Sequence, residues 1–219
     1  IYTNGPVLGY ASGDQANLSD FQTATGMEAN SIEYDPWYIS KNDLHTHSIY
    51  LNDAGITVAA ISDDIDGEVR LASPDIGADE FEPNNLDVWT QQLQSLDPTE
   101  CPQDVVIDFT NTGTDVLNTI EFEYAVDGVP VNTFTWAGAL ASKASIIGEN
   151  LGSIEIPVGV HEVSVYPTLL NGALDENNNN DTITVDINVT IPKPDNSFVL
   201  SNPTICSGVA ATITQSGSE

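Results

Sequence analysis

Ile183, Val185, Ile187, Val189 and Ile191 alternate without interruption with Thr184, Asp186, Asn188 and Thr190. Successive side chains leave a strand on opposite faces, so this segment presents one apolar and one polar face. Such a strand has to lay its apolar face on another sheet, and that requirement restricts the fold more than any other feature of the chain. The pattern recurs. Ile120, Phe122, Tyr124 and Val126 alternate with Glu121, Glu123 and Ala125 and lead into Asp127-Gly128, a pair suited to the positive φ of a tight hairpin turn. A return strand follows through Val131, Thr133, Phe134 and Trp136, and Val105–Phe109 and His161–Val165 add further short strands. No segment sustains the three-and-four apolar spacing of an amphipathic helix, so almost no helix is expected. Between Leu86 and Ile191, about seven strands at this spacing predict an antiparallel β-sandwich of immunoglobulin type.

Residues 1–83 read differently. Their strand-like pieces are short and dense turns separate them (Asn4-Gly5, Ser12-Gly13, Asp53-Ala54-Gly55, Asp66-Gly67). Stacked coils, each giving brief strands joined at polar corners, produce that pattern. Ile191-Pro192-Lys193-Pro194-Asp195 blocks ladder pairing and marks a stiff linker. The predicted organisation is an all-β chain in three parts: coils over 1–83, a sandwich over 84–191, and a linker with the start of a further module over 192–219.

Charge narrows the partners. The chain carries 33 acidic against four basic residues, a net charge of −29, which repels nucleic-acid phosphates and anionic lipid. Divalent cations, neutral or basic glycans and basic protein surfaces are compatible with it. No apolar run reaches the roughly 18 residues of a membrane span, so no membrane insertion is expected. No secretory leader is recognisable, the chain opens at Ile1, and Met27 is its one methionine, so a cut from a longer precursor is expected. An open coil end would then favour end-to-end self-association. Asp97-Pro98-Thr99-Glu100-Cys101 is echoed by Asn202-Pro203-Thr204-Ile205-Cys206. The two cysteines thus stand at equivalent starts of successive modules and are not expected to pair with each other; the mate of Cys206 is expected beyond Glu219.

Asp64-Ile65-Asp66-Gly67-Glu68-Val69-Arg70, followed by Pro74-Asp75-Ile76-Gly77-Ala78-Asp79-Glu80-Phe81, resembles the closing coil of secreted right-handed parallel β-helix proteins of bacteria. Ser31–Tyr38 and Asp43-Leu44-His45 are similar to the penultimate coils of that family. Val106–Gly113, Tyr124–Gly128, Trp136-Ala137-Gly138, Asp175-Glu176-Asn177 and Asp181-Thr182 resemble adhesion-related immunoglobulin-like modules of large Bacteroidetes-type surface proteins, and Pro203–Gly208 resembles the opening of another. These resemblances imply the end of a right-handed parallel β-helix followed by an immunoglobulin-like β-sandwich, placed outside the cell or on its surface and exported by the type IX route.

Asp63 to Phe81 gathers seven carboxylates around Arg70, the one arginine of the chain. A guanidinium bridges carboxylates and carbonyls at once, so Arg70 among Asp64, Asp66, Asp75 and Asp79 is expected to pin the last coil shut, with Ile65, Val69, Leu71 and Ile76 capping its core. Arginine never serves as a base, and nothing places Asp35, Asp43, Asp63 or Asp64 in a pair at catalytic separation. His45 and His47 would share a strand face as a metal pair, but no third ligand stands at a suggestive spacing, and ordinary surface histidines are the plainer reading. Alternation assigns most of Trp89, Phe109, Phe122, Tyr124, Phe134 and Trp136 to the core. It sends Trp37 and Tyr38 to opposite faces, which gives a sugar-stacking platform little support.

Asp175-Glu176-Asn177-Asn178-Asn179-Asn180-Asp181 sets seven oxygen-bearing side chains in a row between two strands. A polar turn accounts for the run, since Asn and Asp tolerate left-handed backbone. A calcium site would also use it, through Asp175, Glu176, Asn178 and Asp181, because calcium takes about six to eight oxygens. Asp63, Asp64 and Asp66 form a second group of that kind. The expected role is a non-catalytic part of a large extracellular or cell-surface bacterial protein, serving adhesion, display or scaffolding. Its expected partners are neighbouring modules of the same polypeptide, extracellular glycans or surface proteins, and calcium is the candidate cofactor. The alternative is the accessory C-terminal part of a polysaccharide-degrading β-helix enzyme whose active site lies in upstream coils.

Overall fold

The computed structural model describes residues 5–94, 96–99 and 102–190. Cys101, Cys206, Ile191 and the predicted linker and further module at 192–219 lie outside them. The chain divides into two compact units, Ile1–Asn84 and Asn85–Glu219. It is all-β, with 4% helix and 41% strand in several antiparallel sheets, so sheet faces rather than helices have to supply the core.

The first unit opens with a two-stranded antiparallel ribbon, β1 (Gly9–Tyr10) against β2 (Asp14–Gln15), followed by one helix, α1 (Leu18–Thr25). Apolar spacing gives no sign of this helix, because Leu18 is its one buried residue. Its caps are legible instead. Asn17 accepts the N–H of Asp20 at 2.9 Å, and Gly26 ends the helix at a φ of 67°.

The rest of the unit does not form the parallel coils expected of it. Ile76 N–H donates to Leu51 O at 3.0 Å, Gly55 N–H to Pro74 O at 2.7 Å and Arg70 N–H to Ser62 O at 2.8 Å, and Asp63 bridges Val69 in antiparallel sense. Residues 51–76 therefore fold back on themselves, and no parallel strand pair occurs among the described residues. The acid-rich turn is the physical cause. Asp64 Oδ1 accepts the N–H groups of Asp66 at 2.9 Å and Glu68 at 2.8 Å, and Gly67 takes a φ of 85°, which reverses the chain. Ile65, Val69 and Leu71, expected to cap a core, are exposed. The buried apolar side chains among the described residues of this unit are Leu18, Ile49 and Leu51.

The second unit is built as the alternation requires. Its strands are β3 (Val88–Leu93), β4 (Gln103–Asn111), β5 (Leu117–Val126), β6 (Val129–Leu140), β7 (Ser145–Ile154), β8 (Gly159–Leu170) and β9 (Ile183–Val189). They form a three-stranded sheet in the order β3-β4-β7 and a four-stranded sheet in the order β6-β5-β8-β9, with every pair antiparallel. Along β9, Ile187 and Val189 are buried while Thr184, Asp186 and Asn188 are exposed. Val105, Ile107 and Phe109 from the first sheet share one core with Ile120, Phe122, Tyr124 and Trp136 from the second. The Phe109 ring sits 5.2 Å from Phe122 and 5.8 Å, edge-on, from Trp136, separations at which aromatic pairs attract.

Asp127 and Gly128 both take positive φ, 51° and 72°, as the two-residue hairpin needs. That turn sends β6 straight back beside β5. A constant-type immunoglobulin domain carries four strands in the sheet of its first strand and three in the other. Here the counts are reversed, because β6 stays in the sheet of β5. Strand β7 shows no alternation: its burial is irregular, Gly148 and Gly152 take positive φ, and its register with β4 shifts twice.

Candidate metal centre

Three carboxylates from two distant stretches meet beside the start of β3. Asp87, Asp175 and Asp181 are 2%, 8% and 3% exposed, and one oxygen from each lies within 4.8 Å of the others. Local bonding places them. Asp175 Oδ1 accepts Asn177 N–H at 2.8 Å, a turn that Asp readily makes, while its Oδ2 accepts Val88 N–H at 2.9 Å and ties the acidic run to β3. Asp87 Oδ1 accepts the Thr112 hydroxyl at 2.7 Å and the Asn180 amide at 2.9 Å. The Asp87 carbonyl takes the N–H groups of Thr112 at 3.0 Å and Gly113 at 3.1 Å. Glycine is required at 113, since a Cβ there would stand 2.3 Å from the Asn85 carbonyl oxygen.

Burial pushes the carboxyls of Asp175 and Asp181 well above the usual carboxylate range, and the charge of Asp87 pushes the same way. Two like charges 4 Å apart repel by about 4 kcal/mol at an effective dielectric of about 20. Three ionised groups at this spacing therefore need a cation or shared protons. Asp181 Oδ1 and Asn180 Oδ1 are both buried and accept no hydrogen bond among the described residues, whereas buried polar atoms nearly always have a partner. The donors are all carboxylate and amide oxygens, a set that suits a hard cation such as calcium.

Of the four residues singled out in the acidic run, the structure brings together Asp175 and Asp181. Glu176 turns away, its Oε2 accepting Asn85 N–H at 2.8 Å, and Asn178 is exposed. Asp87 was not foreseen. Its contacts with the acidic run are to Asn177 and Asn180, 90 and 93 positions away, and no local pattern carries them. Asp63, Asp64 and Asp66 do not converge into a comparable cluster among the described residues.

Arg70 pins a loop, with different partners from those expected. Its Nη1 donates to Glu80 Oε1 at 3.0 Å and to the carbonyls of Asp75 at 3.2 Å and Asp79 at 3.4 Å, and Nη2 donates to Gly77 O at 2.8 Å. The bend at 74–79 turns its carbonyls inward, so they replace the aspartate carboxylates as acceptors. Backbone amides occupy two of those carboxylates instead: Asp75 accepts from Asp53 at 2.6 Å and Phe81 at 2.8 Å, and Asp64 from Glu80 at 3.1 Å. The N–H of Glu80, followed by those of the turn, holds the Asp64 carboxyl below its ordinary value, while burial raises that of Asp75. Asp66 bonds His45, and His47 instead meets the Glu82 carbonyl at 3.2 Å, so the two imidazoles part.

Fold and cluster together define a class: an all-β protein with an antiparallel two-sheet unit and an all-oxygen group of buried carboxylates at the start of its first strand. No protein-family profile matches the chain, and no curated protein matches it. Among solved structures, a domain from Methanosarcina acetivorans, solved by NMR and provisionally named as part of a cell surface protein, is similar at 18% identity. The match covers 48% of this chain and 93% of that one, with a TM-score of 0.40.

Proposed function

We propose that the chain is a non-catalytic part of an extracellular or cell-surface bacterial protein, an immunoglobulin-like module whose sandwich calcium holds in register. The observation that carries this is the buried group of Asp87, Asp175 and Asp181. Its charge is compensated by a divalent cation, and extracellular modules typically bind calcium at about 10⁻⁴ to 10⁻³ M, which suits a calcium-rich medium outside the cell. The resemblance to Bacteroidetes-type adhesion modules supports the same reading, with adhesion, display or scaffolding as the role and type IX export as the route. The likeness of residues 63–81 to a β-helix end remains one of sequence. Brief protease treatment of intact cells of the source organism should release peptides from residues 5–190. Peptides recovered only after lysis would contradict a surface location.

A second reading, attachment to glycans, has its own observation. In the first unit a cleft of about 910 Å³ is lined by Tyr34, Asp35, Trp37, Tyr38, Ser40 and Lys41 among others. Trp37 takes a φ of 48°, rare for so bulky a residue, and Asp35 Oδ1 fixes it by accepting its N–H at 2.9 Å. That kink turns Trp37 and Tyr38 into one cleft, where strand alternation would have separated them. Tyr34 stacks on Tyr50 at 4.0 Å and braces the wall. Aromatic rings beside a few polar groups form a typical small-ligand site, and the same cleft favours the accessory-part alternative for a polysaccharide-degrading enzyme. Trp37→Ala should weaken retention on a glycan array by about tenfold, the scale of a buried aromatic anchor. Equal retention by parent and variant would remove this reading.

A further inference from the structure

We propose that His45, Asp66 and Asp79 form a zinc site, with Asp43 orienting the imidazole. All four residues belong to the first unit, so the proposal does not rest on the calcium reading of the second. One ligand atom each from His45, Asp66 and Asp79 lies within 4.8 Å of the others. His45 Nε2 is 2.7 Å from Asp66 Oδ2, and Nδ1 bonds Asp43 Oδ1 on the far side of the ring. Asp43 Oδ1 also accepts the His45 N–H at 3.2 Å, which fixes backbone and ring together. Asp79 is 6% exposed, and one of its carboxylate oxygens lies within 4.8 Å of the ligand atoms of His45 and Asp66. Two carboxylates and an imidazole nitrogen from separate turns of the chain thus converge on one point.

Hydrogen bonds tie the framework around the three groups. Asp64 holds the turn that carries Asp66 and reaches the N–H of Glu80, while Arg70 grips the carbonyls of Asp75, Gly77 and Asp79. The Asp64–Arg70 constellation thus presents Asp66 and Asp79 to His45. An imidazole backed by a carboxylate at one nitrogen is the usual form of a metal-bound histidine, and here the other nitrogen points at a proposed ligand, Asp66. One nitrogen and two oxygens suit zinc, which binds such ligands at about 2.0–2.2 Å and leaves a fourth position to water. Calcium takes oxygens and has no use for the ring. Ligands around a tetrahedral zinc stand roughly 3.3 Å apart at those bond lengths, between the 2.7 Å of the His45–Asp66 pair and the 4.8 Å limit of the group. On binding, the proton at Nε2 leaves and the nitrogen lone pair enters the metal shell. The ion would clip together residues 43–45, 64–68 and 75–80 in a unit whose apolar core is small, as staples do in small scaffolds.

The test uses the whole chain, stripped with chelator and then saturated with calcium so that the Asp87 group is occupied. Calorimetric titration with zinc chloride should show one ion per chain, with proton release measured by comparing two buffers. His45→Gln should weaken zinc binding by about 100-fold or more, and Asp43→Asn by about 10–100-fold, the range for a ligand's supporting carboxylate. Asp66→Asn, at an exposed position, is the second variant should His45→Gln not fold, and should cost about tenfold or more. Cobalt in place of zinc should give the visible absorption of a four-coordinate ion in the parent and lose it in His45→Gln. No zinc uptake by the parent, uptake displaced by calcium, or equal uptake by folded variants and parent would each overturn the proposal.

Discussion

Arg70→Met is expected to destabilise residues 63–81 by roughly 3–5 kcal/mol, the range for removing one member of a buried ion pair. The side chains of Arg70 and Glu80 are 12% and 7% exposed, and they meet at 3.0 Å. Without the guanidinium, Glu80 keeps the N–H of Asp75 at 3.1 Å, but its Oε2 already has no partner. The carbonyls of Asp75, Gly77 and Asp79 lose their donor in the same step. Lysine should recover only part of the loss, because an ammonium cannot span a planar fork of acceptors. Hydrogen exchange reads this directly: amides of residues 63–81 should exchange about 100-fold faster or more in Arg70→Met, while amides of β4, β5 and β8 keep the parent rate. Unchanged protection over 63–81 would show that Arg70 does not pin the loop.

In chelator, the melting temperature of the sandwich should fall by several degrees as pH rises from 5 to 8.5. Burial, with the facing carboxylates adding to it, raises the carboxyls of Asp175 and Asp181 well above their ordinary range in the folded chain, against about 3.9 when unfolded. Above pH 4 the native state therefore binds more protons than the unfolded state, and stability declines with pH until both groups have ionised. Their contribution is fully present below the unfolded value and is lost as pH rises through the raised folded values. Calcium should flatten or reverse this slope, because it binds the ionised carboxylates and displaces those protons. Asp87→Asn, which removes one of the facing charges, should lessen the decline. A melting temperature independent of pH in chelator would contradict the buried-proton account.

What was legible in the sequence follows the range of the interactions involved. Strands β4, β5, β6, β8 and β9 were readable because period-two alternation is local and the Asp127-Gly128 turn fixes its own φ. Strand β7 was not, since its glycines and register shifts break the alternation, and helix α1 buries too little to show a stripe. The acidic run before β9 was readable as an oxygen cluster, and Asp175 and Asp181 are in it. Asp87 was hidden because its role comes from chain segments that meet only in the fold. The turn at Asp64–Glu68 was visible as chemistry, but its consequence, an antiparallel return over 51–76, depends on hydrogen bonds between residues as distant as Leu51 and Ile76. His45 read as an ordinary surface histidine, with His47 as its conceivable metal partner. The structure pairs it with carboxylates 21 and more positions on.

Thermal melting of the chain in chelator, in calcium, and in sodium at matched ionic strength tests the central claim most directly. At about a hundredfold over its dissociation constant, a ligand confined to the folded state adds roughly 2.7 kcal/mol. For a sandwich of this size that is a rise on the order of ten degrees, and Asp181→Asn should abolish most of it. Sodium controls for the screening of −29 charges. The account predicts a calcium-specific rise carried by the second unit. A melting curve that calcium moves no further than sodium, or moves equally in Asp181→Asn, would contradict it.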